Sequence, residues 1–295
     1  MLSAMSVDRR RILRTTAQLA TLTAAGGLLA GCGQEAATGA GGPHGATPQP
    51  AAGTGTTALT PNMIPSATAT PSATPSPTPT PTPSLTLPVL PPLAAGTPPE
   101  VVNGPANRPQ VALTFHGQGD PKLATALLDA AEQHGAKVTV LVVGSWLDQQ
   151  PQMAQRILAG GHELGNHTQN HLDISSMSPD QAYAEIAGCA DRLKALTGSI
   201  GRWFRPSAAQ FATAQIKEQA RKVGYEHCLS FNVDPRDYAD PGAEAVQRRI
   251  LGSVKAGSIV ALHMGHQGTV DALPAVLTAL QQRGLSAVTA SQLCS

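Results

Sequence analysis

The carboxy-terminal two-thirds of the chain predicts an α/β fold, a distorted (β/α) barrel with about seven parallel strands. Three observations carry that prediction. From Gln110 onward, short strand-like apolar runs alternate with longer stretches of helical periodicity, the pattern of a parallel α/β domain. Helical stretches run into Gly135, Gly160, Gly198, Gly224, Gly257 and Gly284, where a left-handed cap turns the chain back. No Gly-x-Gly-x-x-Gly follows the first strand, as a dinucleotide-binding open sheet requires, so a barrel fits the repeats better than a doubly wound sheet.

In chain order, the strand-like runs cover 111–115, 137–143, 162–165, 202–205, 227–233, 258–263 and 286–290. The helical patterns between them cover 122–134, 152–159, 179–196, 214–223, 243–255 and 270–282. A chain of 295 residues has room for two domains, but a large share of its 25 prolines falls before position 100, which favours one. The expected division is 1–31, 32–107 and a folded domain at 108–295, long enough to bury a sizeable core. A net charge of +1 with 13% charged residues leaves no basic field for nucleic acid.

The first division reads as an export address. Arg9, Arg10, Arg11, Ile12, Leu13 and Arg14 precede an apolar stretch at 19–30 that is short for a membrane-spanning helix. The run resembles a twin-arginine signal, with Asp8 where Ser or Thr is usual. Leu29, Ala30, Gly31 and Cys32 resemble a bacterial lipobox, which implies lipidation of Cys32 and a membrane anchor. The alternative is an ordinary secretory peptide with an incidental cysteine. Several acyl chains, at about 0.8 kcal/mol per buried CH₂, make such an anchor durable. The following Gly, Ala, Thr and Pro, with Thr-Pro and Ser-Pro steps across 67–83, cannot bury a core and read as a disordered, semi-rigid stalk. A proline-rich docking ligand is the competing reading, but its basic flanks are missing. The expected location is the cell surface, on the outer face of the cytoplasmic membrane.

Within the domain, Cys189, Cys228 and Cys294 allow at most one disulfide and lack the close spacing of a zinc knuckle or redox motif, so buried structural thiols are expected. The histidines are more informative. His116 follows the first strand, His167 and His171 the third, and His263 and His266 the sixth. A lone histidine is more often structural, but five at the strand ends where α/β barrels build their sites suit metal-assisted hydrolysis.

Five ordered segments then carry a family resemblance. His167, Thr168 and His171 match a His-[Ser/Thr]-x-x-His motif, after Gly165 and Asn166. Thr114, Phe115, His116, Gly117 and Gln118 stand where Thr-Phe-Asp-Asp-Gly would. Phe204, Arg205 and Pro206 occupy an Arg-x-Pro position, Asp237 and Tyr238 an Asp-Trp position, and Leu262 and His263 a Leu-His position. The domain thus resembles the polysaccharide deacetylase (NodB-homology) family over about two-thirds of the chain. The resemblance implies hydrolysis of N-acetyl, and sometimes O-acetyl, groups on peptidoglycan, chitin-like or other acetylated glycans. In that chemistry a divalent metal, usually zinc, polarises the acetyl carbonyl and lowers the pKa of bound water from about 15.7 toward about 7. By position, His167 and His171 are the implied metal ligands, His263 the acid, Asp237 its electrostatic partner and Arg205 the residue that orients the base. Taken singly, Arg205 also reads as a strand-end salt bridge and Asp237 as a turn former.

The departure from the pattern is that His116 stands at the base Asp and Gly117 at the metal-binding Asp. Two histidines alone fall below the usual three protein ligands of a catalytic zinc. His116 is one candidate third ligand and Asp120, folding back from the turn, another; alternatively His116 serves as base, its ordinary pKa of about 6.5 suiting that role. Met264 replaces an Asp often found after the final His, and His266 brings a further imidazole. The expected function is a metal-dependent deacetylase with a rebuilt site. The alternatives are a catalytically weak or inactive glycan-binding surface lipoprotein and, more remotely, an unrelated barrel hydrolase. With 3% aromatic residues, obvious sugar-stacking platforms are few.

Overall fold

The computed structural model describes residues 89–295. The expected signal segment, Cys32 and most of the expected stalk lie outside the described residues. In order, the elements are β1 (Glu100–Val101), β2 (Gln110–Gly117), α1 (Pro121–Gln133), β3 (Thr139–Val142), α2 (Gly144–Gln149), α3 (Gln152–Ala159) and β4 (Glu163–Asn166). There follow α4 (Pro179–Thr197), α5 (Ala214–Val223), β5 (Cys228–Leu229), α6 (Ala243–Ser253), β6 (Ile259–His263), α7 (Gln267–Gln282), β7 (Ser286–Val288) and α8 (Ala290–Leu293). Short 3-10 turns occupy Ile174–Ser176 and Asp237–Ala239.

Every strand pairing is parallel. The order is β4-β3-β2-β6, with β7 beside the first half of β2 and β1 beside β5. Single-residue bridges from Asn166 to Phe204, Phe204 to Cys228 and Val233 to Val260 carry the ring round, giving the distorted barrel. The expected strands 202–205 and 227–233 shrink to those bridges and β5 for physical reasons. Pro206 has no N–H to extend the first ladder. In the second, the Asn232 side-chain oxygen takes the Ile259 N–H at 2.8 Å, breaking the main-chain register.

Period-two alternation along β2 assigns its faces. Leu113 and Phe115 pack outward with Leu127 and Leu128 of α1 and Val276 and Leu277 of α7, while Ala112 joins Leu141, Trp203 and Ile259 inside the ring. Thr114 and His116 share the inward parity of Ala112, so β2 delivers His116 to the barrel mouth. Most expected glycine caps have positive φ, but Gly160 sits at φ −72° and Gly161, at +73°, makes the reversal instead. The packed chain also begins earlier than Arg108. β1 pairs with β5, and the Pro91 carbonyl accepts from Arg202 at 2.6 Å, so residues before 108 belong to the domain. Cys189, Cys228 and Cys294 are free and buried, with burial pushing their thiols up to about 12, 12 and 11, as structural thiols should be.

Candidate active site

The site is assembled where β2, β4 and β6 end. His116 and His263 are register partners on adjacent parallel strands, so their rings meet at one height. His167 follows β4 directly. The loop to His171 folds back through two residues in the left-handed region, Thr168 at φ 68° and His171 at φ 56°. Local polar chemistry holds that turn. Asn166 Oδ1 accepts the Thr168 N–H at 2.9 Å, and Thr168 Oγ1 accepts the His171 N–H at 3.2 Å. Glu185, buried on α4, then accepts the Asn170 N–H at 2.8 Å and the Asn170 side-chain amide at 2.7 Å. The result sets the His167 and His171 rings 4.9 Å apart, and the His116 ring stacks on His167 at 4.0 Å.

Arg205 is fully buried and has no carboxylate partner among the described residues. Its guanidinium donates to the carbonyls of Leu229 at 2.7 Å and Ser230 at 3.2 Å, to Thr114 Oγ1 at 2.9 Å and to His116 Nε2 at 3.2 Å. Burial lowers its pKa to about 9, which leaves it protonated at neutral pH. Because a guanidinium only donates, His116 Nε2 must accept and its proton must sit on Nδ1. That Nδ1–H donates to His263 Nε2 at 2.8 Å, and His263 Nδ1 donates in turn to Asp237 Oδ1 at 2.8 Å. Asp237 also accepts from the His263 N–H, the Tyr238 N–H and Thr269 Oγ1. A one-way chain of hydrogen bonds therefore runs from Arg205 through His116 and His263 to Asp237.

His167 is set differently. Its Nδ1–H donates to the Arg205 carbonyl at 3.0 Å, which leaves a bare lone pair on Nε2, and that buried atom has no hydrogen-bond partner among the described residues. One ring nitrogen from each of His116, His167 and His171 lies within 4.8 Å of the other two. Burial first, then neighbouring charges from the other imidazoles, hold the His116 and His167 pKa values well below 6.5; burial followed by His263 lowers that of His171. All three are thus neutral at pH 7, the state a metal ligand requires. The donor set fits a divalent cation, His167 being the most fully prepared member.

Several expectations need correction here. Asp120 does not turn toward the histidines; its Oδ1 accepts the Lys122 N–H at 2.8 Å and caps α1. The reason lies in the preceding turn, where Gly119 at φ 104° approaches Gly265 so closely that an added Cβ would come within 2.5 Å of its Cα. His116 offers no unspent nitrogen in this arrangement, since Arg205 and His263 take both. At Gly117 an added Cβ would lie 2.8 Å from Val140 Cγ1 and 3.0 Å from Val142 Cγ1, so the strand has closed over the place of the second carboxylate. Glu185, Asn170 and Thr269 were not singled out from the sequence. The mouth opens as a groove of about 420 Å³ lined by His116, His171, His263 and His266 together with Phe231 and Tyr238. Tyr238 is half exposed there, with its ring 5.4 Å from His263, and gives the groove an aromatic wall.

The polysaccharide deacetylase family model matches residues 103–228. A peptidoglycan-N-acetylglucosamine deacetylase of Bacillus cereus is 34% identical over 201 residues, covering 64% of this chain and 90% of that protein. A chitooligosaccharide deacetylase of Bradyrhizobium is 30% identical over 189 residues, covering 59% and 85%. Among solved structures, a family 4 carbohydrate esterase described as a pseudoenzyme, from Bacillus anthracis, superimposes with a TM-score of 0.64 at 23% identity, over 68% of this chain and 70% of that one. The chain belongs to the polysaccharide deacetylase family.

Proposed function

We propose that the protein is a metal-dependent deacetylase that removes acetyl groups from an N-acetylated envelope glycan, peptidoglycan or a chitin-like oligomer. The observation that carries the reading is the bare, buried Nε2 of His167 in a cluster with His171 and His116, a lone pair oriented by its own Nδ1 bond and matched to a cation. His167 and His171 hold the ion, zinc being the choice for an imidazole set. His116 completes three ligands if its Nε2 gives up Arg205. When bound, the ion supplies a Lewis acid that polarises the acetyl carbonyl.

The remaining groups orient and move protons. Asp237, itself fixed by three further donors, holds the His263 ring through Nδ1, so that His263 Nε2 is the nitrogen that delivers a proton to the leaving nitrogen. A proton on that nitrogen would face the Nδ1–H of His116, so charging His263 requires the His116 ring to turn. Arg205 sets the resting tautomer of His116, and Tyr238 offers the sugar a ring face beside the acid.

The lipobox resemblance at Cys32 supports a location on the outer face of the cytoplasmic membrane, tethered by lipid, within reach of envelope glycan. A second reading, a glycan-binding module without activity, is favoured by the closed position at Gly117 and by the full use of both His116 nitrogens. The test is acetate release from N-acetylglucosamine oligomers and peptidoglycan, with metal-free protein and with added zinc, cobalt or manganese. Release that depends on metal is the expected result. No release under any of these conditions, from folded protein that still binds glycan, would establish the binding module.

A further inference from the structure

The groove offers His263 as the proton donor for the leaving nitrogen; outside the candidate metal cluster its other titratable lining groups are Asp234, whose Oδ1 accepts the Arg236 N–H at 2.8 Å, Tyr238 and His266. The two positions that would supply a carboxylate are His116 and Gly117. His116 spends Nε2 on Arg205 and Nδ1 on His263, and His167 and His171, their rings 4.9 Å apart, belong to the candidate metal cluster. One further imidazole lines the same groove. His266, at the N-cap of α7, has its Nδ1 2.7 Å from Asp240 Oδ1, and its Nε2 bonds no protein atom among the described residues.

This second pair repeats the first at a spacing of three residues on both segments. Asp237 and Asp240 bracket one 3-10 turn, while His263 ends β6 and His266 begins α7. The turn fixes the carboxylates relative to each other, because the Asp240 N–H donates to the Asp237 carbonyl at 2.9 Å and Asp240 is held at φ 49°. The two rings stand 5.8 Å apart and nearly perpendicular. A carboxylate on Nδ1 places the proton there and leaves the lone pair on Nε2. Left-handed backbone at a non-glycine residue is uncommon, and here it aims a carboxylate at an imidazole beside the candidate site.

From this juxtaposition we infer that His266, oriented by Asp240, is the general base of the reaction; the inference rests on the deacetylase reading. His266 Nε2 takes one proton from water as the water oxygen bonds the acetyl carbon. The carbon–nitrogen bond then breaks, its electron pair goes to nitrogen, and nitrogen takes a proton from His263. One proton passing from His266 to the neighbouring His263 through solvent restores both rings, and the single water consumed is divided between acetic acid and amine. The base has thus moved from the end of β2 to the start of α7, three residues beyond His263.

The side chain of Asp240 is 70% exposed and that of His266 26% exposed, so as a mere surface contact the pair would contribute little to folding and its removal would leave turnover unchanged. The experiment is steady-state acetate release from N-acetylglucosamine oligomers by zinc-loaded full-length protein, alongside zinc content and melting temperature. His266→Gln should lower kcat by about 100-fold or more while KM and zinc content stay within about twofold. Asp240→Asn should lower kcat by about tenfold, and His266→Glu, which restores a carboxylate base, should recover part of the loss. His266→Gln retaining kcat within about threefold of an active wild type would overturn the inference alone. Loss of bound zinc in His266→Gln would also overturn it, by making the residue a ligand. A wild type that releases no acetate with any metal would overturn the deacetylase reading and this inference with it.

Discussion

The two ends of the barrel bury polar groups to opposite effect. At the floor, the Glu163 carboxylate accepts from Thr139 Oγ1 at 2.9 Å, the Ser291 N–H at 3.1 Å and Ser291 Oγ, while Trp203 Nε1 donates to that same serine oxygen. Thr139 Oγ1 also accepts the Ala290 N–H at 2.8 Å, so α8 is tied to β3 and β4. At the mouth, among the described residues, His167 Nε2 is buried without a partner in a cluster of imidazoles, whereas the unpartnered atom at the floor end of β2 is a single amide oxygen, Gln110 Oε1. Among the described residues, the five non-glycine positions with left-handed backbone, Thr168, His171, Ala208, Arg236 and Asp240, lie in the loops around the mouth. A satisfied buried network holds a fold together, whereas strain and an unpaired lone pair persist where a ligand is to be met. The floor is the stability of this domain, and the mouth is its chemistry.

Substitutions should separate the two ends. The largest effect on folding is expected at the floor, where Glu163→Ala leaves the donors of Thr139 and Ser291 unpaired. It should cost about 3 kcal/mol in urea unfolding while zinc binding at the mouth is retained. Restoring the two absent carboxylates with His116→Asp plus Gly117→Asp should not simply repair the mouth. The new Cβ at 117 must displace Val140 and Val142, so the melting temperature should drop in line with about 1–3 kcal/mol of overpacking. Glu185→Ala releases Asn170 and with it the fold of the His167–His171 loop. Zinc affinity by competition titration should weaken about tenfold, and Glu185→Gln should recover part of it.

The smallest effect is the pH dependence of the metal-free domain. The folded pKa values of His116 and His167 lie below the unfolded value of about 6.5, so the folded state binds fewer protons between those limits. Stability should be fully present above about pH 6.5 and lost as pH falls from there through the depressed values. His116→Asn should flatten that slope in melting curves recorded across the acidic range.

How much of this was legible in the sequence differs between the same two ends. Helices α3 and α5 match the ranges read from periodicity, because Gly160 and Gly224 follow them and Thr213 caps the start of α5. The β1 strand was missed, since two residues before Asn103 carry no alternation to read, and α2 was missed because six residues are too few for a helical period. At the site, the positions of His116, His167, His171 and His263 follow from strand ends, which sequence marks well. Which nitrogen each ring has free does not follow. That depends on Arg205 reaching His116 across 89 residues and on a glutamate from α4 gripping Asn170. The equal spacing of Asp237 with Asp240 and of His263 with His266 was a readable signal for the second pair.

The central claim is that His167, prepared by its bond to the Arg205 carbonyl, holds a metal with His171 at the barrel mouth. Zinc bound per chain, counted by native mass spectrometry after dialysis against trace zinc, tests it most directly, with His167→Ala as the control. The account predicts about one ion per wild-type chain and none for His167→Ala, with both proteins folded. A folded wild type that holds no zinc, or a His167→Ala variant that holds as much as wild type, would contradict it.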